Sequence, residues 1–174
     1  RNVELVVHGG EHVGIFGKNG VGKTTLLAHI AEELLARSDV RTFYMPQNYA
    51  ELLPRDCTSV GFLAPDGDKA AVTAARLLLG SAHFTREEML APIGALSGGQ
   101  RAKLCLLRPI LSGADVLILD EPTRNFSPLS NPVIRGILRG YGGAILSVSH
   151  DRKYLLEVAE TLYRQTPEGL RREW

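Results

Sequence analysis

The hydrophobic residues along this chain follow two different periods. Short apolar runs bounded by glycine or proline alternate with stretches whose apolar residues recur every three or four positions. The first pattern is typical of buried strands and the second of amphipathic helices. Because the two patterns alternate along most of the chain, the sequence predicts an α/β domain with a largely parallel sheet.

The predicted strands are the runs 3–7, 12–16, 41–45, 116–119 and 144–148, with a C-terminal hairpin of 161–164 and 170–174. The predicted helices cover 22–37, 70–79, 99–111 and 131 to about 140. Asp68 is the expected N-cap of the second helix, with Gly80 just past its end, and a capping box at 85–88 opens a further short helix. Residues 57–90 show no convincing strand pattern, which predicts a small helical insert.

Composition narrows the function classes. The chain has 174 residues, a net charge of +1 and 44% hydrophobic residues, as expected for one globular domain. A near-neutral chain is a poor candidate for coating nucleic acid or an anionic membrane. Two cysteines form no disulfide framework, so reduced thiols and a cytoplasmic location are expected. The start lacks Met, and we expect the chain to be part of a longer one.

The most specific motif lies between a predicted strand and a predicted helix. It matches G-x-x-x-x-G-K-[ST], and its residues are Gly17, Lys18, Asn19, Gly20, Val21, Gly22, Lys23 and Thr24, with Thr25 next in the chain. Such a loop turns successive backbone N–H groups toward a triphosphate, and the following helix adds its positive N-terminal end. Lys23 would then reach the β and γ phosphates of a nucleotide, and the Thr24 hydroxyl would ligate Mg²⁺.

A second motif places two acids after a buried apolar run. Residues 116–119 read Val-Leu-Ile-Leu, and Asp120 and Glu121 follow. A strand of this kind delivers carboxylates to its carboxyl end, where α/β sheets bind ligands. Asp120 would hold Mg²⁺ through water, and Glu121 would polarise the attacking water as general base. Taken alone, the pattern is better explained as a core strand ending in a solvated acidic turn, and it is the P-loop upstream that favours the nucleotide interpretation.

A third motif opens the helix that begins near residue 99. It consists of Leu96, Ser97, Gly98, Gly99 and Gln100. Two adjacent glycines at a helix start are suited to an anion. Because one P-loop holds one set of phosphates, we expect this second site to serve a nucleotide bound by another domain.

In this order the motifs resemble those of ATP-binding-cassette (ABC) ATPases, and Gln47 and His150 complete the order. The resemblance extends from residue 3 to about 156. It implies an α/β P-loop NTPase fold of the RecA-like, ABC ATPase type, with a mostly parallel sheet core at about 1–50 and 113–174. A small α-helical subdomain carrying the signature motif would occupy about 51–112.

The resemblance also implies partners and roles. Two such domains would sandwich two ATP molecules head to tail, each between one P-loop and the opposite signature motif. The second ABC domain would be a tandem copy in the full-length chain or the other half of a homodimer. Gln47 would approach Mg²⁺ and the attacking water, and His150 would contact the γ-phosphate. Taken singly, Gln47 is more simply a loop residue and His150 a strand-end residue.

One group within the family fits best. Residues 149–155, S-H-D-R-K-Y-L, resemble the S-H-D-R-x-[FY]-L segment of the ABC-F group, whose members carry two cassettes and act on ribosomes in translation or antibiotic resistance. Residues 121–125, E-P-T-R-N, resemble its E-P-T-N-H segment imperfectly. The short spacing between Lys23 and Gln47 is compatible with the second cassette of such a protein.

Two residues depart from the family pattern. Ser127 stands in the loop where the family usually has Asp, and it supplies no carboxylate. No aromatic residue precedes Phe16, so the ring that usually stacks on adenine lies before residue 1 or base recognition is weak. Phe16 itself ends a predicted strand, and we expect it in the core.

We therefore expect an ATPase that binds ATP and Mg²⁺, most similar to the C-terminal cassette of an ABC-F protein, with the ribosome or rRNA as a possible partner. One alternative is the nucleotide-binding subunit of a transporter, with a membrane subunit as partner. Another is an ATP-gated dimerisation module that does not need hydrolysis. No motif predicts sequence-specific DNA binding.

Overall fold

A computed structural model of the chain describes residues 5–174, apart from the side chains of residues 50 and 51. The strands are β1 His12–Phe16, β2 Thr42–Met45, β3 Val116–Asp120, β4 Ala144–Val148, β5 Thr161–Thr166 and β6 Gly169–Arg172. They form one sheet in the order β2-β3-β4-β1-β5-β6. In this order, the first five strands are parallel to their neighbours, and β6 pairs antiparallel with β5. The predicted largely parallel sheet is confirmed.

Seven α-helices accompany the sheet in the described part of the chain. They are α1 Lys23–Leu35, α2 Ser59–Leu63, α3 Lys69–Ser81, α4 Arg86–Leu90, α5 Gly98–Leu111, α6 Asn131–Arg139 and α7 Arg152–Val158. Two short 3₁₀ helices lie at Tyr49–Leu52 and Ile93–Ala95. No helix in residues 5–174 has the length and apolar character of a membrane span.

The structure differs from the sequence predictions at several places. Residues 5–7 of the predicted first strand form no strand, and residues 1–4 lie outside the described residues. Gly80 was predicted to lie just past the end of α3, but the helix continues to Ser81 and includes it. The left-handed residue that follows the helix is His83, with φ 62°. Helix α7 was not predicted. It begins where the Asp151 carboxylate accepts hydrogen bonds from two backbone N–H groups, those of Lys153 and Tyr154.

The sheet core lies where α1 covers β1, β3 and β4. Fully buried apolar side chains fill this layer, and they are Val13, Ile15, Leu27, Ala31, Ile118, Leu146 and Val148. Burying such a side chain stabilises a fold by about 1.5–3 kcal/mol relative to leaving it exposed. The core therefore holds the start of α1, and with it the loop between β1 and α1, at a defined place on the sheet.

The chain separates into two compact units. One comprises the stretch up to Gln47 together with Ala114–Arg124 and Leu138–Trp174. The other comprises Asn48–Gly113 and Asn125–Ile137, and it holds α2, α3, α4 and α5. Residues 125–137, which the sequence analysis placed in the sheet core, belong to this second unit.

The two cysteines differ in environment, and this difference is testable. Cys105 in α5 is 2% exposed, and burial raises the pKa of its thiol to about 12, whereas Cys57 is half-buried. The thiolate is the reactive form. We expect a thiol reagent at pH 8 to modify one cysteine in the native chain and a second only after denaturation. A Cys57→Ser chain serves as the control, and its native form should not react with the reagent. Modification of both cysteines in the native wild-type chain would contradict the structure.

Candidate functional site

Strand order brings the predicted P-loop, metal-binding and catalytic residues to one edge of the sheet. β2, β3, β4 and β1 are consecutive neighbours, and their carboxyl ends point the same way because they are parallel. Gln47 follows β2, Asp120 ends β3, His150 follows β4, and the P-loop follows β1. Residues that are far apart in the chain therefore meet at the edge where open α/β sheets bind ligands.

Two glycines are required by the shape of the P-loop. Gly22, the N-cap of α1, has φ 94°, a left-handed conformation that residues with a Cβ rarely adopt. Gly17 passes so close to β5 that a Cβ built on it would lie 2.5 Å from the Gln165 carbonyl oxygen. The first amides of α1 have no partner within the helix, so they are available to an anion in front of it.

Lys23 points back into this loop. Its Nζ donates hydrogen bonds of 2.9 Å to the carbonyl oxygens of Gly17 and Lys18, and the residue is 7% exposed. Burial lowers the pKa of the Lys23 ammonium, and the negative charges of Glu121 and Asp120 act against that shift. The lysine is thus a desolvated cation between the loop and two acids, which suits it to a phosphate.

Asp120 is the site's candidate metal ligand, and its surroundings fit a cation. The residue is 1% exposed, and both carboxylate oxygens are buried without a hydrogen-bond partner among the described residues. An unpaired buried carboxylate is costly unless a cation or its water compensates the charge. The predicted Mg²⁺ ligands Thr24 and Gln47 line the cleft at the same sheet edge. The residues present therefore fit Mg²⁺.

Glu121 and His150 are brought together. Glu121 has φ 52°, uncommon for a residue with a Cβ, and its Oε2 accepts hydrogen bonds from the His150 backbone N–H at 3.2 Å and the Ser149 hydroxyl at 3.4 Å. The His150 Nε2 lies 3.6 Å from Glu121 Oε1. The contact with Ser149 was not predicted. Two hydrogen bonds therefore orient the Glu121 carboxylate, and the His150 ring lies beside it.

A cleft of about 530 Å³ joins these groups. Its lining residues are Asn19, Gly20, Gly22, Lys23, Thr24, Thr25, Gln47, Glu121, Arg124, Val148 and His150. Arg124 was noticed in the sequence only as a mismatch to the E-P-T-N-H segment. Its Nη1 donates a hydrogen bond of 3.1 Å to Gln47 Oε1. The signal that could have identified it is its place three residues after the general-base candidate.

A second cleft, with a volume of about 1000 Å³, also borders the P-loop. The remaining P-loop residues, Gly17, Lys18 and Val21, line it together with Phe16. Phe16 is only half-buried, and the Arg164 guanidinium lies 5.3 Å from its ring centroid. The expectation that Phe16 belongs to the core is therefore wrong, because the strand end that carries it opens onto this cleft.

The signature residues lie in the second unit. The Ser97 hydroxyl accepts a hydrogen bond from the Gln100 backbone N–H, and the Gln100 side chain accepts one from the Ser97 backbone N–H, which forms a capping box at the start of α5. Leu96 is buried, and the Tyr49 hydroxyl donates a hydrogen bond of 2.8 Å to the Gly98 carbonyl oxygen. A Cβ built on Gly99 would lie 3.3 Å from the Asn125 carbonyl oxygen, so there is little room for a side chain at this position. The motif is therefore a capped helix start.

Ser127 lies in the loop that precedes α6. Its hydroxyl accepts a hydrogen bond from the Ser130 backbone N–H at 3.3 Å and lies 3.3 Å from the Ser130 hydroxyl. The side chain therefore stabilises its own turn.

Comparison with known proteins identifies the family of this chain. The family described as "ABC transporter" matches residues 1–124. "ABC transporter F family member 2" of Arabidopsis thaliana is 29% identical over 95% of this chain and 26% of that protein. "Ribosome protection protein VmlR" of Bacillus subtilis is 36% identical over 89% of this chain and 29% of that protein. The chain spans about a quarter to a third of the length of the curated relatives it matches.

A solved structure extends the comparison to the fold. The dimeric ATP-binding cassette MJ0796, in a post-hydrolysis state bound to ADP and Pi, superposes with a TM-score of 0.81 at 20% identity. The match covers 99% of this chain and 89% of that chain. It confirms the predicted fold class, a P-loop NTPase of the ABC ATPase type.

Proposed function

This chain belongs to the ABC transporter family of ATPase domains, and we propose that its P-loop cleft binds ATP with Mg²⁺ and hydrolyses the terminal phosphate. The observation that carries the proposal is the convergence of a desolvated lysine, an unpaired buried aspartate and an oriented glutamate at one sheet edge. A cleft of this chemistry matches a polyanion and its counter-cation.

The phosphate-binding part of the proposal rests on the loop and the start of α1. Backbone N–H groups of residues 17–25 would face the phosphates, and Lys23 would exchange its two carbonyl partners for phosphate oxygens. Thr24, Gln47 and Asp120 would hold Mg²⁺. When bound, that ion would neutralise part of the phosphate charge.

The hydrolytic part rests on Glu121 and His150. Glu121 Oε2 is held by Ser149 and the His150 backbone, and the carboxylate would take the proton of the attacking water as general base. His150 Nε2, 3.6 Å from Glu121 Oε1, would donate a hydrogen bond to the terminal phosphate. Gln47 would help to orient the water.

We further propose that the active unit contains two ABC domains. The signature motif is a capped helix start in the unit that does not hold the P-loop, which is compatible with binding a nucleotide held by another domain. The dimer reported for the structurally similar cassette supports this arrangement. A single chain supplies half of each composite site, so we expect the isolated domain to hydrolyse ATP poorly.

A mixing experiment tests the composite site. A Lys23→Ala chain keeps its signature motif, and a Ser97→Arg chain keeps its P-loop, so each is expected to be inactive alone. In a mixture, one intact composite site can form between the two, and phosphate release should return to a measurable fraction of the wild-type rate. Recovery supports a homodimer. If two folded variants give no recovery while the wild-type chain is active, the composite site does not form between copies of this chain.

For the whole protein we propose an ABC-F-like role on the ribosome. The named relatives, one a ribosome protection protein and one an ABC transporter F family member, support this role. Co-sedimentation of the full-length protein with ribosomes, dependent on ATP and strengthened by Glu121→Gln, tests it. The alternative, a transporter subunit, predicts instead that the protein copurifies with a membrane protein in detergent.

A further inference from the structure

Arg124 is held at the mouth of the P-loop cleft by a tight turn. Glu121 begins the turn in a left-handed conformation, and the Arg124 backbone N–H donates a hydrogen bond of 3.1 Å to the Glu121 carbonyl oxygen. Between them, Pro122 and Thr123 are buried and anchor the turn. The exposed Arg124 side chain therefore starts from a fixed backbone position beside the general-base candidate.

The hydrogen bond to Gln47 has a specific consequence. Arg124 Nη1 donates to Gln47 Oε1 at 3.1 Å. The amide oxygen is the atom through which a glutamine binds a metal ion, because its NH₂ group can only donate. Arg124 therefore occupies the Gln47 oxygen that Mg²⁺ would use, and it also places a positive charge near any metal ion that binds there.

The charges along the cleft give Arg124 a second consequence. Among the described side chains that line it, the permanent cations are Lys23 and Arg124, and the carboxylate is that of Glu121. Asp120 adds a buried negative charge close enough to affect the pKa of Lys23. Without Arg124, the acids of the site outnumber its permanent cations. A guanidinium has five N–H donors and matches the oxygens of a phosphate.

We propose that Arg124 is a phosphate-binding residue that performs part of the work of Mg²⁺ in this site. Its guanidinium contacts the terminal phosphate of ATP and competes with the metal for Gln47. Nucleotide binding by this chain is therefore less dependent on Mg²⁺ than binding by a chain with a neutral residue at position 124. This inference rests on the proposed ATP-binding function.

Equilibrium binding tests the proposal without measuring turnover. The affinity of the full chain for a non-hydrolysed β,γ-imido analogue of ATP is measured by calorimetry with Mg²⁺ and with EDTA, for the wild type and Arg124→Asn. We expect Arg124→Asn to weaken binding about tenfold in EDTA and about threefold or less with Mg²⁺, since charge-assisted hydrogen bonds near solvent are of this order. The ratio of the dissociation constant in EDTA to that with Mg²⁺ should therefore be at least about threefold higher for Arg124→Asn than for the wild type. ADP, which lacks the terminal phosphate, should show a smaller change.

Two matched variants control for charge and for folding. Arg37→Asn removes the same charge just past the far end of α1, about 20 Å from Lys23 by the rise of the helix, where Arg37 pairs with Asp39, and it should leave the ratio unchanged. Arg124→Lys keeps the charge and should retain most of the affinity measured in EDTA. An unchanged ratio in Arg124→Asn, the same rise in Arg37→Asn, or equal losses in Arg124→Lys and Arg124→Asn would each overturn the proposal. Failure of the wild-type chain to bind either nucleotide would instead contradict the proposed function itself.

Discussion

Replacing Lys23 with alanine is expected to abolish measurable ATP binding, because the affinity should fall at least about a hundredfold. Lys23 is 7% exposed, and its ammonium donates to two P-loop carbonyl oxygens. Because the side chain is already largely buried in the folded chain, a phosphate that replaces those carbonyls meets a cation with a reduced desolvation cost. Alanine removes the cation and leaves two carbonyl oxygens facing the anion. Calorimetric titration with ATP measures the loss.

Lys18→Ala is the matched control for this result. Lys18 belongs to the same loop and carries the same charge, but its side chain is exposed. The backbone N–H of residue 18, which is the group expected to face the phosphates, survives the substitution. We expect an affinity within about fivefold of the wild type, as for a solvent-screened charge. Unchanged ATP affinity in Lys23→Ala, with Lys18→Ala also unchanged, would remove the P-loop assignment.

Replacing Glu121 with glutamine is expected to preserve ATP binding and to slow hydrolysis by about 10²–10⁴, the usual effect of losing a general base. Glutamine has nearly the same shape, and its side-chain oxygen can still accept the hydrogen bond from the His150 backbone N–H. It cannot take a proton from water. Phosphate release under saturating ATP measures the rate, and equilibrium titration shows that the nucleotide is still bound.

Glu33→Gln provides the control for the loss of one carboxylate. Glu33 lies on α1, its side chain is 70% exposed and its carboxylate lies 3.5 Å from His29 Nε2, so both the rate and the affinity should match the wild type. A Glu121→Gln chain that hydrolyses ATP at nearly the wild-type rate would contradict the general-base role. If this variant binds ATP but fails to support biological function, the alternative of a dimerisation module that needs no hydrolysis is eliminated.

Much of the fold could be predicted from local patterns. β1 and β4 lie where alternating turns and apolar runs placed them, and the Thr85 capping box opens α4 as expected. These features depend on residues close in the chain, whose hydrogen bonds and burial a sequence pattern reports directly. The predicted end of α3 differs from the observed one. The helix continues past Gly80, since the Ala82 backbone N–H donates to the carbonyl oxygens of Leu78 and Leu79, and the left-handed residue after it is His83.

The order of the strands could not be predicted in the same way. β4 lies between β1 and β3, although it is fourth in the chain, and this places Ser149 and His150 beside Glu121. Long-range pairing of this kind depends on which faces bury the most apolar surface together, and no local pattern encodes it.

The sequence by itself determined the nature of the phosphate-binding chemistry in this protein. The spacing from Gly17 to Thr24, the acids after β3 and the glycines at 98 and 99 each fit a local need, which is a turn, a strand end or a helix start. Only the tertiary structure decided which side chains share the cleft and which of them hold one another. Arg124 and Gln47 are 77 positions apart in sequence, and their hydrogen bond exists because β2 and β3 are neighbours in the sheet.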